Sequence, residues 1–231
     1  MKVFAIGDLH LSGFSPKPMN IFGEHWSDHW DNVQGSWHEL VCDDDIVLLP
    51  GDLSWAMKLS EAKIDIDAVC AMPGKKVLIK GNHDYWWSSL GQVEAMLSNH
   101  TYIIQNNSIS FGDYVFAGSR GWTCPCYNAF DEAVDNKLYL REAGRLEMSL
   151  QHAKKTAADK ELICMMHFPP TDAKGMQTLF TDLFEKYEAA KVVYGHLHSV
   201  NGNNVLEGTL RGVEYSLVSC DYTDFKLVQI A

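Results

Sequence analysis

The stretch "KKVLIKGNHDYWWSS", residues 75–89, decides the fold. Pro73-Gly74 precedes it, and the apolar run Val77–Leu78–Ile79 ends at Gly81-Asn82. A short apolar run between turn residues reads as a buried β-strand. Gly81 and Asn82 alone would turn the chain. His83 and Asp84 follow at once, an imidazole and a carboxylate at a strand end that turn geometry does not require.

The same pattern recurs in "KVFAIGD" (2–8), "DIVLLPGD" (45–52), "ELICMMH" (161–167) and "AKVVYGH" (190–196). Continuous apolar runs of this kind suit strands covered on both faces. Helical patterns lie between them. Residues 60–72 open on Ser60 as N-cap, and residues 88–98 align Leu90, Val93 and Leu97. The longest helix falls at about 131–158, with Tyr139, Ala143, Leu146, Leu150, Ala153 and Ala157 on one face. Another, near 176–189, carries Leu179, Leu183 and Tyr187. Alternation of this sort predicts an α/β fold. Residues 101–118 and 204–230 break the rhythm and predict hairpins of a second, partly antiparallel sheet, with turns at "QNNS" and "FGD".

No repeat or linker divides the 231 residues, so one domain is expected over 1–231. Two insertions follow strand ends, where α/β proteins place the loops that shape binding sites. Residues 11–41 hold three of the seven tryptophans, and Trp26, Trp30, Val33 and Trp37 fall on one helical face. Residues 119–136 begin as an irregular loop rich in aromatics.

Composition bounds the function. With 46% hydrophobic and 21% charged residues the chain reads as an ordinary globular protein. It has no apolar run of membrane-spanning length, and its first residues are too short an apolar stretch for a secretory signal. A cytoplasmic location without membrane partners is the expectation. The net charge of −11 and the lack of Lys/Arg runs disfavour duplex nucleic acid as a partner. The six cysteines are scattered, and the single "CPC" pair at 124–126 is too small for a zinc site, so reduced thiols are expected.

The strand ends carry Asp8 and His10, Asp52, Asn82-His83-Asp84, His167, and His196 and His198. Each alone has a structural explanation, such as a helix cap or a hydrogen-bonded turn. Together they place five of the ten histidines where strand ends converge in open α/β sheets. Carboxylate, amide and imidazole ligands suit a pair of divalent cations of borderline type, Mn, Fe, Zn, Ni or Co. Two such ions outweigh two carboxylates, so the site stays positive and attracts phosphate even in an acidic protein. Paired metals activate water and clamp anionic oxygens during displacement at phosphorus. A hydrolase is implied.

The ordered motifs Asp8-x-His10, Gly51-Asp52, Gly81-Asn82-His83-Asp84, His167 and Gly195-His196-x-His198 resemble the calcineurin-like metallophosphoesterase superfamily, in particular its small stand-alone bacterial phosphohydrolases. The resemblance spans residues 7–198 with every ligand position filled. It implies two packed mixed β-sheets flanked by helices, a four-layer sandwich. It also implies that Asp8, His10, Asp52 and His198 hold one metal, and Asp52, Asn82, His167 and His196 the other, with Asp52 bridging. A hydroxide shared by the metals would attack phosphorus. His83, unligated, would protonate the leaving alkoxide, a contribution typically of about 10²–10⁴ in rate. Asp84 would orient the His83 ring, with capping of the next helix as its plainer role.

The substrate expected is a small phosphorylated molecule, monoester or diester. Two alternatives stay open: a non-enzymatic metal-binding scaffold on the same fold, and a nuclease of the same superfamily. Of the adjacent Trp86 and Trp87, one is expected in the core and one near the cleft. Arg120 could grip a substrate phosphate or be a solvated loop residue. His25 and His29 have metal-compatible spacing, although a surface helix explains them more simply.

Overall fold

The computed structural model describes residues 1–98 and 100–231. Four short parallel strands, β1 (Val3–Ala5), β2 (Ile46–Leu49), β3 (Lys75–Leu78) and β4 (Thr101–Ile103), form the first sheet. The second contains β5 (Ser108–Phe111), β6 (Tyr114–Ser119), β7 (Glu161–Met166), β8 (Lys191–Tyr194), β9 (Gly208–Leu210) and β10 (Val213–Leu217). Its order is β5-β6-β7-β8-β10-β9. The four middle strands are parallel and the two edges antiparallel. The last strand, β11 (Val228–Gln229), returns antiparallel beside β1. Both sheets are therefore mixed.

Strand alternation explains the layering. Val3 and Ala5 of β1, Ile46 and Leu48 of β2, and Ile163 and Met165 of β7 share one apolar layer between the sheets. Their neighbours Phe4, Val47 and Leu49 face outward under a layer containing Val33, Trp37, Ile66 and Val69. Leu162, Cys164 and Met166 face the opposite way, against Leu146, Leu150, Phe180 and Phe184. Successive side chains point to opposite faces of a strand, so a run apolar at every position feeds two layers at once.

Among the described residues five α-helices cover the outer faces: α1 (His29–Leu40), α2 (Leu59–Cys70), α3 (Leu90–Glu94), α4 (Glu132–Thr156) and α5 (Leu179–Lys186). The long helix α4 buries Tyr139, Ala143, Leu146, Leu150 and Ala153, as the spacing predicts. It starts where the Asp131 side chain accepts the Ala133 N–H at 2.9 Å.

Several expectations need correction. Ser60 lies inside α2, which is entered at Lys58, whose N–H donates to Glu61. Helix α3 stops at Glu94 and continues only as turns. Thr178 caps α5, and Phe180 and Phe184 form its buried face rather than Leu179 and Leu183. Trp26 belongs to a separate 3-10 turn before α1, although it is buried like Val33 and Trp37. The second sheet is not built from 101–118 and 204–230 alone. Its centre is parallel, and β4 and β11 from those stretches pair in the first sheet.

Among the described residues no helix is long and apolar enough to cross a membrane. All six cysteines are free thiols.

Candidate metal centre

Parallel strands point their carboxyl ends one way, and the two sheets bring those ends together. The Gly7 N–H donates to Val218 O at 2.6 Å, and the Cys220 N–H donates to Gly7 O at 3.0 Å, which joins the end of β1 to the end of β10. His167, just past β7, reaches Pro50, just past β2, with Nδ1 at 3.0 Å from the carbonyl oxygen. The predicted residues Asp8, His10, Asp52, Asn82, His167, His196 and His198 all gather at this seam.

The backbone there is unusual. Asp8, His10, Asp52 and His196 have φ of 58°, 47°, 53° and 73°, in the left-handed region that costs non-glycine residues energy. Close approach also demands glycine. A Cβ on Gly81 would collide with the Asp52 carboxylate. One on Gly51, whose φ is 97°, would sit 2.8 Å from His167 Nδ1. The glycines of "PGD" and "KGN" thus let β2, β3 and β7 deliver their polar groups to one point.

Asp52 is the hub. Its Oδ1 accepts the His83 N–H at 2.8 Å. Its Oδ2 lies 3.5 Å from His167 Nε2 and 3.7 Å from His10 Nε2. On one side, Asn82 Oδ1 stands 2.5 Å from His167 Nε2 and 2.9 Å from His196 Nδ1. On the other, His10 Nε2 and His198 Nε2 are 3.3 Å apart, with Asp8 Oδ1 3.9 Å from His198 Nε2. Ligand atoms of Asp8, His10 and His198, and likewise of Asp8, Asp52 and His167, fall within 4.8 Å of one another.

The donor chemistry fits a cation. The bond to Pro50 O assigns the His167 proton to Nδ1, which leaves Nε2 a bare lone pair. Burial pushes the His167 pKa down to about 3, so the ring does not solve the problem by protonating. Yet this lone pair faces the oxygens of Asn82 and Asp52. Acceptors pressed together without a proton between them need positive charge. Burial likewise pushes His196 down to about 3 and His10 well below its ordinary value. In the chain alone, burial raises Asp8 to about 8 and Asp52 to about 6.

Asp221 is a residue the sequence reading missed. It follows β10, and its Oδ1 lies 2.8 Å from His198 Nδ1, which fixes the tautomer that aims Nε2 into the site. The only signal was its place in "SCDY", after an apolar strand; no motif marks it.

Asp84 does not orient His83 and does not cap a helix. Oδ2 accepts the N–H groups of Asp52 and Gly81 at 2.9 and 2.8 Å. Oδ1 accepts those of Leu53 and Ser54 and the Trp86 indole N–H, at 2.9, 3.2 and 3.0 Å. Five donors saturate the carboxylate. It pins the loops after β2 and β3 together and so positions Asp52 and Asn82 from below.

His83 instead borders an aromatic hollow of about 160 Å³ with His10, Met19, Trp26 and Trp55. Its ring centroid is 4.6 Å from that of Trp55 and 5.6 Å from that of His10. Met19 and Trp26 come from the first insertion, which therefore reaches the centre. The second insertion reaches it indirectly: Trp122 packs on Phe168, whose ring lies 4.1 Å from His196. Trp86 and Trp87 are both buried, and Trp87 donates to Gln105 at 2.9 Å. His29, at the start of α1, has Nε2 3.0 Å from the Leu9 carbonyl oxygen, while His25 sits in the preceding 3-10 turn, so the two do not share one helix. Arg120 is half-buried rather than solvated, with Nη2 at 3.3 Å from Glu142 and the guanidinium over Trp122.

A family model described as calcineurin-like phosphoesterase matches residues 1–200. No curated protein matches the chain. Among solved structures, a protein of unknown function from Aquifex aeolicus is similar in fold, with a TM-score of 0.52 at 15% identity. That likeness covers 99% of this chain and 95% of the other.

Proposed function

The chain belongs to the calcineurin-like phosphoesterase family, and from that premise we propose that it hydrolyses esters of phosphate with two divalent metal ions. One observation carries the reading. His167 Nε2 and His10 Nε2 approach the same oxygen of Asp52, at 3.5 and 3.7 Å. A carboxylate oxygen between two sets of imidazole lone pairs suits a bridge between two cations.

Asp8, His10, Asp52 and His198 would hold one ion, and Asp52, Asn82, His167 and His196 the other. When bound, the ions supply Lewis acidity and an activated water. The protein's own groups do the rest. Asn82 offers a neutral oxygen, so the centre keeps more positive charge for an anionic substrate than a carboxylate there would allow. Asp221 holds His198 in the tautomer that leaves Nε2 free. His83 stands outside the ligand set and delivers a proton to the departing oxygen. The aromatic hollow beside His83 takes the leaving group. Its wall of Met19, Trp26 and Trp55 favours a small molecule with an apolar or aromatic portion.

The test uses chelator-stripped protein with Mn²⁺ restored. Initial rates on an aryl phosphate monoester and the matching diester should depend on the metal and on His83, and their ratio identifies the ester class. Two tightly bound ions without turnover on either ester would instead favour a scaffold role.

A further inference from the structure

A second cavity, of about 240 Å³, lies beside the metal centre and contains none of its residues. Lys80 from the end of β3, Arg120 from the end of β6, and Arg141 and Arg145 from α4 line it, around a single carboxylate, Glu142. Four cations less one carboxylate leave three positive charges in a chain whose net charge is −11.

Neutralising a buried glutamate does not explain the cluster. Glu142 is 1% exposed, and Arg145 Nη1, Arg120 Nη2 and Arg141 Nε approach the same atom, Oε1, at 2.7, 3.3 and 3.6 Å. One close partner would satisfy it. Arg120 Nε is buried with no hydrogen-bond partner among the described residues. A guanidinium offers five N–H donors in a planar fork matched to phosphate, and most of those on these three arginines are not used by Glu142.

We infer that the cavity is a second oxyanion site that binds a phosphate group. It lies on the same edge of the sandwich as the metal centre. The Arg120 carbonyl accepts the His167 N–H at 3.2 Å, and Lys80 directly precedes Gly81-Asn82. A phosphate held there is either a second phosphate of a substrate whose ester lies on the metals, or free phosphate acting as a separate ligand. The first source rests on the hydrolase reading; binding itself does not.

Calorimetric titration of the chelator-stripped chain, residues 1–231, with inorganic phosphate tests the site. One salt-sensitive binding event is expected, weakened about tenfold or more in Arg141→Gln/Arg145→Gln. Both side chains are about half exposed, at 49% and 43%, so the variant should fold, and its melting curve verifies this. Glu142→Gln should tighten phosphate binding. No binding by the wild-type chain, or equal affinity in the folded double variant, would overturn the site, whatever the hydrolase assay shows. Kinetics of the Mn²⁺-loaded protein then separate the sources. A KM increase in the double variant confined to an aryl bisphosphate, absent with the monophosphate, assigns the site to substrate. A noncompetitive effect of inorganic phosphate on the monophosphate, lost in the variant, assigns it to a free ligand.

Discussion

The candidate metal centre and the arginine-lined cavity share one edge of the sandwich but are built in opposite ways. Each candidate ligand sits in the short loop after a strand, so segments such as "GDLH", "PGD" and "GNHD" deliver it with little freedom. The cavity draws Lys80 and Arg120 from two sheets and Arg141 and Arg145 from one helix, residues separated by up to 65 positions. Strained backbone marks the first site, where four residues hold left-handed φ values. The second rests on flexible cationic side chains around one buried carboxylate. Rigid, strand-borne groups suit a geometry that chemistry demands, and long side chains suit the capture of charge.

The two sites should therefore respond to different perturbations. The largest expected effect is on rate. His83→Ala should retain both metals and lose about 10²–10⁴ in turnover on esters with poor leaving groups, and much less with good ones. Phosphate binding in the cavity should not change. Loss of metal from this variant, read by elemental analysis, would make His83 a ligand and erase its separation from the ligand set. Next comes Asp221→Asn, which should weaken metal binding about 10–100-fold by releasing the His198 tautomer, measured by chelator competition. An unchanged affinity would show that Asp221 does not position His198.

Asp84→Asn should act on the fold. Replacing a carboxylate that accepts five hydrogen bonds leaves buried N–H groups without an acceptor, at a cost of about 2 kcal/mol. Urea unfolding measures it. A full-stability variant with depressed catalysis would return Asp84 to the role of orienting His83.

The smallest effect is a pH slope that separates the two sites. Asp8, raised to about 8 by burial, must lose its proton to ligate, so metal binding releases a proton below that pH. Affinity should fall as pH drops from 8, by up to about tenfold per unit. His198, also raised by its neighbouring carboxylates against the opposing effect of burial, adds to the same direction. His167 and His196 are already neutral and contribute no slope there. The arginines of the cavity keep their charge throughout, while burial lowers the pKa of the Lys80 ammonium below its ordinary value. Phosphate binding should therefore follow the ionisation of phosphate and, at alkaline pH, that of Lys80.

The clustering of the candidate ligands was legible because each follows an apolar run, and parallel strands gather such ends at one edge. The layer structure was legible for a related reason: runs apolar at every position must be covered twice. Which strands pair was not, because a run such as 101–103 carries no mark of its neighbour, and β4 joined the first sheet. The role of Asp84 was misread because adjacency to His83 in sequence suggested contact, whereas its carboxylate faces the backbone of the loop after β2. Asp221 was missed because it depends on a pairing across 23 positions with His198. Arg141, Glu142 and Arg145 look in sequence like the solvated side of a long helix. Only the packing of α4 against β6 shows that Glu142 is buried and that the arginines surround it.

The most direct test of the central claim is metal stoichiometry and affinity in Asp52→Asn against the wild-type chain, by elemental analysis and competition with a chelator. Two Mn²⁺ ions per wild-type chain, both weakened together in the variant, are the expected result. A variant that keeps two ions at wild-type affinity would contradict the bridge at Asp52 and, with it, the two-metal hydrolase.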